Sequence, residues 1–244
     1  MSNIKPMAHN KIFLSIALTS LLTLSACSDN DTGSMPTPEP EPAPNPTQDY
    51  RVTVTNLTAN QPMSPMALIT HQTRFTPWVT GEAANLTLET LAESGDSAGF
   101  ANLDGVDALV TGEAALAPGM KQSFDLTLTD SESSSFSLLT MLVNTNDAFA
   151  GVNSFSLAGL EVNMIKKFSS IAYDAGTEAN SEAKGTIPGP ADGGEGFNPI
   201  RDDVDRVYAH SGVISSDDGL SSSVLSASHR FDNPVLAISI ERLR

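Results

Sequence analysis

The chain has 244 residues, of which 40% are hydrophobic, and its formal net charge at pH 7 is −16. This length fits one large all-β domain or two smaller domains, and the apolar content is sufficient for a core. A surface this acidic repels phosphates, which argues against nucleic acid as a partner and against direct docking on anionic lipid head groups. It favours the binding of cations, or of partners that cations bridge.

Residues 1–26 predict an export signal. Lys5 and Lys11 begin a segment whose apolar run, residues 12–24, is too short to span a membrane. The segment ends in LSAC, residues 24–27, which resembles the lipobox of bacterial lipoproteins, where the cysteine carries the lipid. Cys27 is the only cysteine in the sequence, so no intramolecular disulfide can form. An ordinary signal peptide with an incidental cysteine is the alternative.

Residues 27–49 predict a lipidated cysteine followed by a linker, because prolines alternate there with polar or small residues. This pattern favours polyproline II, and about 20 residues at ~3.1 Å each span roughly 60 Å. Ser28 follows the cysteine, which in lipoproteins of this kind indicates the outer membrane. We therefore expect a cell-envelope protein that contacts the membrane only through its N-terminal lipid.

Residues 50–244 predict a single antiparallel β-sandwich, because short strand patterns alternate with turn signals. The continuous apolar run at 136–143 is typical of a central strand, and residues 82–92 predict a short helix. Alternating or continuous apolar residues predict strands at Tyr50–Thr58, Met66–Thr70, Leu109–Leu116, Lys121–Leu128, Phe136–Val143, Val152–Leu157, Phe168–Ala172 and Pro234–Leu243.

Two segments predict long loops. Residues 94–107 are rich in Gly and Asp but lack the EF-hand spacing, so a solvated loop is favoured over a second ion site. Residues 182–207 form an irregular segment whose length is typical of functional or mobile loops, and we expect it to lie across the site described next. Its acidic stretch, residues 202–205, fits a solvated face better than a set of ligands.

Three carboxylates follow predicted strands. Asp147 comes after the run 136–143, and Asp174 and Glu178 come after the run 168–172, each acidic element leading into a turn that contains glycine. Two such strand ends side by side would crowd the carboxylates at one rim, where they repel one another unless a cation lies between them. Oxygen ligands of this kind suit Ca²⁺. The sequence therefore predicts a Ca²⁺ site formed by Asp147, Asp174 and Glu178.

Three segments carry a family resemblance: NDAFAGVNSFSL at 146–157, YDAGTE at 173–178 and PVLAISIERL at 234–243. Together they resemble the spondin domain of F-spondin and mindin. The resemblance implies a C2-like β-sandwich with bound Ca²⁺ and an adhesive, non-enzymatic role, and it carries metal ligands over onto Asp147, Asp174 and Glu178. The chain departs from the animal pattern by having Ala148 in place of Trp, Glu178 in place of Asp, and no cysteine in the folded part.

Motifs for catalysis are scarce. The sequence has no G-x-S-x-G elbow, no H-E-x-x-H pair and no nucleotide-binding loop. The favoured hypothesis is a lipid-anchored adhesion or binding module whose partner is an extracellular protein or glycan. The alternatives are a structural envelope lipoprotein in which the metal only stabilises the fold, and a hydrolase of envelope polymers that uses a pair of acids.

Overall fold

The computed structural model describes residues 47–129 and 135–244. The predicted export signal, the predicted lipidation site at Cys27 and most of the predicted linker lie outside these residues. The described chain is mostly β-structure with one α-helix, α1 (Leu86–Ser94). Ten strands occur in it: β1 Thr47–Asn56, β2 Ala67–His71, β3 Val106–Thr111, β4 Lys121–Thr129, β5 Ser135–Met141, β6 Ala148–Ser156, β7 Ile165–Ser170, β8 Ala172–Asp174, β9 Tyr208–Ala209 and β10 Leu236–Arg242.

The strands form two antiparallel sheets, which confirms the prediction of an all-β sandwich. One sheet has the order β4-β1-β10-β7 and the other the order β3-β2-β5-β6-β8-β9. Strand β5 lies between β2 and β6 and is buried along its whole length, as its continuous apolar run predicted. Strand β10 lies between β1 and β7, so the end of the chain occupies the middle of the smaller sheet.

Side-chain alternation places the main core between the two sheets. In β1, Val52 and Val54 are buried while Thr53 and Thr55 face outward, and β10 alternates in the same way. The other face of the larger sheet is also covered, because α1 packs Leu88 and Leu91 into a second apolar cluster that includes Phe149. The larger sheet is thus packed on both faces, while the outer face of the smaller sheet is turned to solvent.

Several boundaries differ from the prediction. Strand β1 begins at Thr47, three residues before the apolar alternation, because its pairing with β4 continues to Thr129. The predicted helix is confirmed but begins at Leu86, where the side chain of Asn85 accepts a hydrogen bond from the Leu88 amide and caps the helix. No helix in the described residues is long and apolar enough to cross a bilayer.

The prediction that Asp147 leads into a turn that contains glycine is wrong. Gly151 lies inside β6, opposite Leu139, and a Cβ atom there would overlap the Leu138 carbonyl. The glycine is therefore required by close approach of two strands and not by a reversal of the chain. The turn lies ahead of it, so Asp147 immediately precedes a strand instead of following one.

Candidate metal centre

Strand pairing brings the two predicted acidic elements together. Strand β6 begins directly after Asp147, and β8 ends at Asp174, which lies opposite Ala148 in the antiparallel ladder. The amide of Ala175 donates a hydrogen bond of 3.2 Å to the Asp147 carbonyl. Asp147 and Asp174 are therefore adjacent, as predicted, and neither has any exposed surface.

The two carboxylates nevertheless belong to different faces of the sheet. Ala148 and Ala172 pack into the core between the sheets, whereas Phe149 and Tyr173 stack on the helix side, with ring centroids 5.5 Å apart. Asp174 is in register with Ala148, so alternation directs its side chain toward the inter-sheet side. Asp147 instead binds the turn that follows β8.

Asp147 has one satisfied and one unsatisfied carboxylate oxygen. Its Oδ2 accepts hydrogen bonds from the Thr177 amide at 2.8 Å, the Glu178 amide at 3.1 Å and the Thr177 hydroxyl at 3.2 Å. Its Oδ1 is buried and has no hydrogen-bond partner among the described residues. Burial, and then repulsion by Asp174, raises the pKa of Asp147 to about 8.

Glu93, in the last turn of α1, is part of the same cluster and was not predicted from the sequence. It is fully buried; its Oε2 accepts a hydrogen bond from the Asn198 amide at 2.8 Å, and its Oε1 has no partner among the described residues. Burial raises its pKa, and the Thr177 hydroxyl lies close enough to lower it in part. Glu93 was missed because a glutamate near the end of an amphipathic helix is usually solvated.

Glu178 completes the cluster. It is 6% exposed. Burial raises its pKa to about 8, with further contributions from Glu93, Asp147, Glu195 and Asp202. Glu93 and Asp147 therefore each lie close enough to Glu178 to oppose its ionisation, with Glu195 and Asp202 on the exposed side of the cluster.

Asp174, by contrast, is fully occupied by protein partners. Its Oδ1 accepts from the Gly176 amide at 2.8 Å and its Oδ2 from the Asn180 side chain at 2.6 Å. The Nε2 of buried His210 lies 3.8 Å from Oδ2, and burial lowers the pKa of this histidine. The Gly212 amide donates to His210 Nδ1, which places the proton of the neutral ring on Nε2. Asp174 thus holds the turn in shape.

The long segment covers the cluster, as predicted. Asp202 donates its amide to the Thr177 carbonyl at 3.0 Å, and its Oδ1 accepts from the Ala179 amide at 2.8 Å. Gly176 has a φ of 72°, and a Cβ there would overlap the backbone of Arg206. The acidic stretch at 202–205 therefore makes specific contacts: Asp202 accepts a hydrogen bond from a backbone amide, and Asp205 forms an ion pair with Arg201.

The donor chemistry fits a hard divalent cation. The cluster offers carboxylate oxygens without His or Cys, and two of its buried oxygens have no hydrogen-bond partner in the described part of the chain, which suits Ca²⁺ and not Zn²⁺. No three His, Cys, Asp or Glu side chains in the described part of the chain form a ready metal-ligating group. An ion held here would therefore need backbone or amide oxygens, which Ca²⁺ accepts, or a small movement of the carboxylates.

Arg201 fastens the covering segment to α1, and its loss should be costly. It donates to both oxygens of buried Glu89, at 3.0 and 2.6 Å, and to the Ala84 carbonyl at 2.7 Å. We expect Arg201→Met to lower the free energy of unfolding in urea by about 3 kcal/mol, because it leaves a buried carboxylate unpaired. Arg74→Met, which removes the exposed pair to Asp104, is the control and should change little. Equal effects of the two would contradict this role.

No protein-family model matches the chain, and a search of curated proteins finds no match. The resemblance to the spondin domain therefore stays a prediction from the three motifs, and the two-sheet sandwich rests on the structure alone.

Proposed function

We propose that this protein is a spondin-like, non-enzymatic binding module that a lipid on Cys27 tethers to the cell envelope, and that Ca²⁺ orders one rim of its sandwich. The observation that carries the proposal is the buried cluster of Glu93, Asp147 and Glu178. Two of its oxygens have no hydrogen donor in the described residues, and the pKa values of Asp147 and Glu178 rise to about 8. At neutral pH, such carboxyls must take up protons or bind a cation.

The residues that would hold the ion are Glu93, Asp147 and Glu178. The ion would supply positive charge beside Glu178, whose ionisation Glu93 and Asp147 oppose from separate parts of the chain. Asp174, predicted from the sequence as a third ligand, supports the site in this proposal by fixing Gly176 and Asn180. Because the cluster joins α1, the turn after β8 and the covering segment, an ion here would tie all three together.

The adhesive role rests on the exposed side of the same cluster. Glu195 and Asp202 reach the surface beside the buried acids, so a carboxylate or hydroxyl of a partner has access to that rim. The expected partner is an extracellular protein or glycan. The proposed tether would hold the domain away from the membrane, where it could meet that partner.

A purely stabilising ion is the second candidate, and burial favours it. Asp147 and Glu93 have no exposed surface, so most of the ion's shell would come from inside the protein. The same burial argues against a hydrolase. The raised pKa values are those of a general acid, but carboxyls with at most 6% exposure offer no access to a polymer substrate.

Calorimetric titration with Ca²⁺ tests the proposal directly. We expect the full-length protein, stripped with chelator, to bind one ion at the cluster. Glu93→Gln should weaken this binding at least tenfold, because it removes a charged oxygen ligand from a buried site. Asp104→Asn, a change in an exposed carboxylate, is the matched control and should bind as the parent does. Unchanged affinity in Glu93→Gln, or no binding by the parent, would refute the proposed site.

A further inference from the structure

The outer face of the smaller sheet holds a groove that shares no residue with the metal centre. It has a volume of about 340 Å³ and lies over β1, β10 and β7. That volume lies in the range of small-ligand sites, roughly 300–1,000 Å³. Six of the residues that line it face outward and determine which ligands it suits: Thr53, Thr55, Lys167, Ser169, Ala237 and Ser239.

The floor of the groove is made of small residues that carry both methyl and hydroxyl groups. Thr53 lies opposite Ser239 and Thr55 opposite Ala237, so the two central strands meet without a large side chain between them. Their backbone N–H groups are used in the ladders with neighbouring strands, which leaves no amide cradle for a bare phosphate. Hydroxyls on a partly apolar floor suit a ring that has C–H and O–H groups together.

The edges of the groove are positively charged. Lys167 lines it on β7, and Lys121 stands beside Thr55 on β4. Of the four lysines in the described residues, Lys121 and Lys167 alternate onto this face, whereas Lys166 is in register with the buried Ile240. Neither Lys121 nor Lys167 forms an ion pair with a carboxylate of the described residues, where the ion pairs involve arginine or histidine.

The acids of this face lie at the end away from Lys121 and begin two residues beyond Ser239, the cross-strand partner of Lys167. Asp125 pairs with Arg51 at 2.8 Å, and Glu241 is the cross-strand neighbour of the same arginine. Asp49 pairs with Arg244 at 2.9 Å. Lys121 and Lys167 therefore add positive charge beside the groove, on a chain whose net charge is −16. A lysine in such a place attracts an anion as a point charge on a flexible stem.

We propose that this groove binds an acidic saccharide chain, with sugar rings on the Thr, Ser and Ala floor and carboxylates of different sugar units at Lys167 and at Lys121, which lie on the two edge strands of the sheet. The groove is open along the sheet, which suits a segment of a polymer better than an enclosed small molecule. Ca²⁺ has no part in it, so this site and the metal centre stand or fall separately.

The test is the binding of a galacturonic acid oligomer to the full-length protein in excess chelator, followed by calorimetry, with circular dichroism to verify the fold. We expect binding that weakens as salt is added. Lys167→Glu should weaken it at least about tenfold, because it reverses the charge beside the ligand. Lys184→Glu makes the same change of net charge on an exposed loop and should have no such effect. Ala237→Leu should also weaken binding by filling the floor without altering charge.

Three results would overturn the proposal. The first is equal loss of binding in Lys167→Glu and Lys184→Glu, which would mean that net charge alone attracts the oligomer. The second is equal affinity for a neutral galactose oligomer. The third is failure of the galacturonic acid oligomer to bind while inorganic phosphate or vesicles of phosphatidylglycerol do, which would assign the groove to phosphate or to a membrane surface.

Discussion

Ca²⁺ should raise the melting temperature of the protein by on the order of 10 °C over the value in chelator. An ion that binds only the folded state, at about 1,000 times its dissociation constant, adds about 4 kcal/mol to the free energy of unfolding. For a domain of this size, each kcal/mol raises the melting temperature by roughly 2–4 °C. Differential scanning calorimetry with Ca²⁺ and with chelator measures the difference.

Variants separate the proposed ligands from their neighbours. Asp147→Asn and Glu93→Gln should lose most of the Ca²⁺-dependent shift, since each removes a charged oxygen that is unpartnered in the described residues. Asp104→Asn should keep the full shift. Asp174→Asn should melt lower in chelator, because it weakens the bonds to Gly176 and Asn180, yet keep its response to Ca²⁺. Loss of that response would make Asp174 a ligand, as the sequence motif predicts.

The same experiment bears on the two candidate functions. A large shift accompanied by no Ca²⁺-dependent binding to extracellular proteins or glycans would favour the stabilising role. Binding that disappears in chelator under conditions where the fold is intact would favour adhesion. Burial of Asp147 and Glu93 makes a large thermal effect the expected result under either function.

The fold was largely predictable because alternation is a local signal. Val52 and Val54 of β1 and the continuous run of β5 identify strands without knowledge of the rest of the chain. Strand β9 was not predicted, since it has only two residues and exists because Tyr208 pairs with Asp174. The predicted start of β1 was wrong for a related reason, because pairing with β4 extends the strand beyond its apolar pattern.

The candidate site was predictable only in part. The adjacency of Asp147 and Asp174 followed from two acidic turns next to strands, and the structure brings them together. What the sequence could not show is the direction of each side chain, which depends on strand register. Asp174 is opposite Ala148 and not Asp147, so its side chain points toward His210, whereas Asp147 binds the turn that follows β8. The burial of Glu93 could not be predicted, because only tertiary packing places this helical residue beneath Asn198.

In chelator, the free energy of unfolding should fall as pH rises from about 4 to about 8. Asp147 has an ordinary pKa of 3.8 when unfolded and about 8 when folded, and Glu178 changes from 4.5 to about 8. Between those values, the folded state binds more protons than the unfolded state. The contribution of these two carboxyls to the free energy of unfolding is therefore fully present below pH 4, and it is lost as pH rises through their folded pKa values. We expect a loss of about 2–4 kcal/mol across this window, measured by urea denaturation at each pH.

Ca²⁺ should abolish this decline, since it binds the ionised carboxylates and its affinity grows as they lose protons. Asp147→Asn should flatten the profile in chelator and be more stable than the parent at pH 8, because its side chain carries no charge to bury. A residual slope should remain from Glu178, whose pKa is raised chiefly by burial, and from Glu93 and Glu182, whose pKa values burial also raises. Buried His71 and His210, whose pKa values burial lowers, contribute a slope of opposite sign below the ordinary histidine pKa of 6.5. Stability in chelator that is constant or rising between pH 7 and 8 would therefore mean that these carboxyls ionise freely in the fold, and the electrostatic reason for a cation at this rim would be lost.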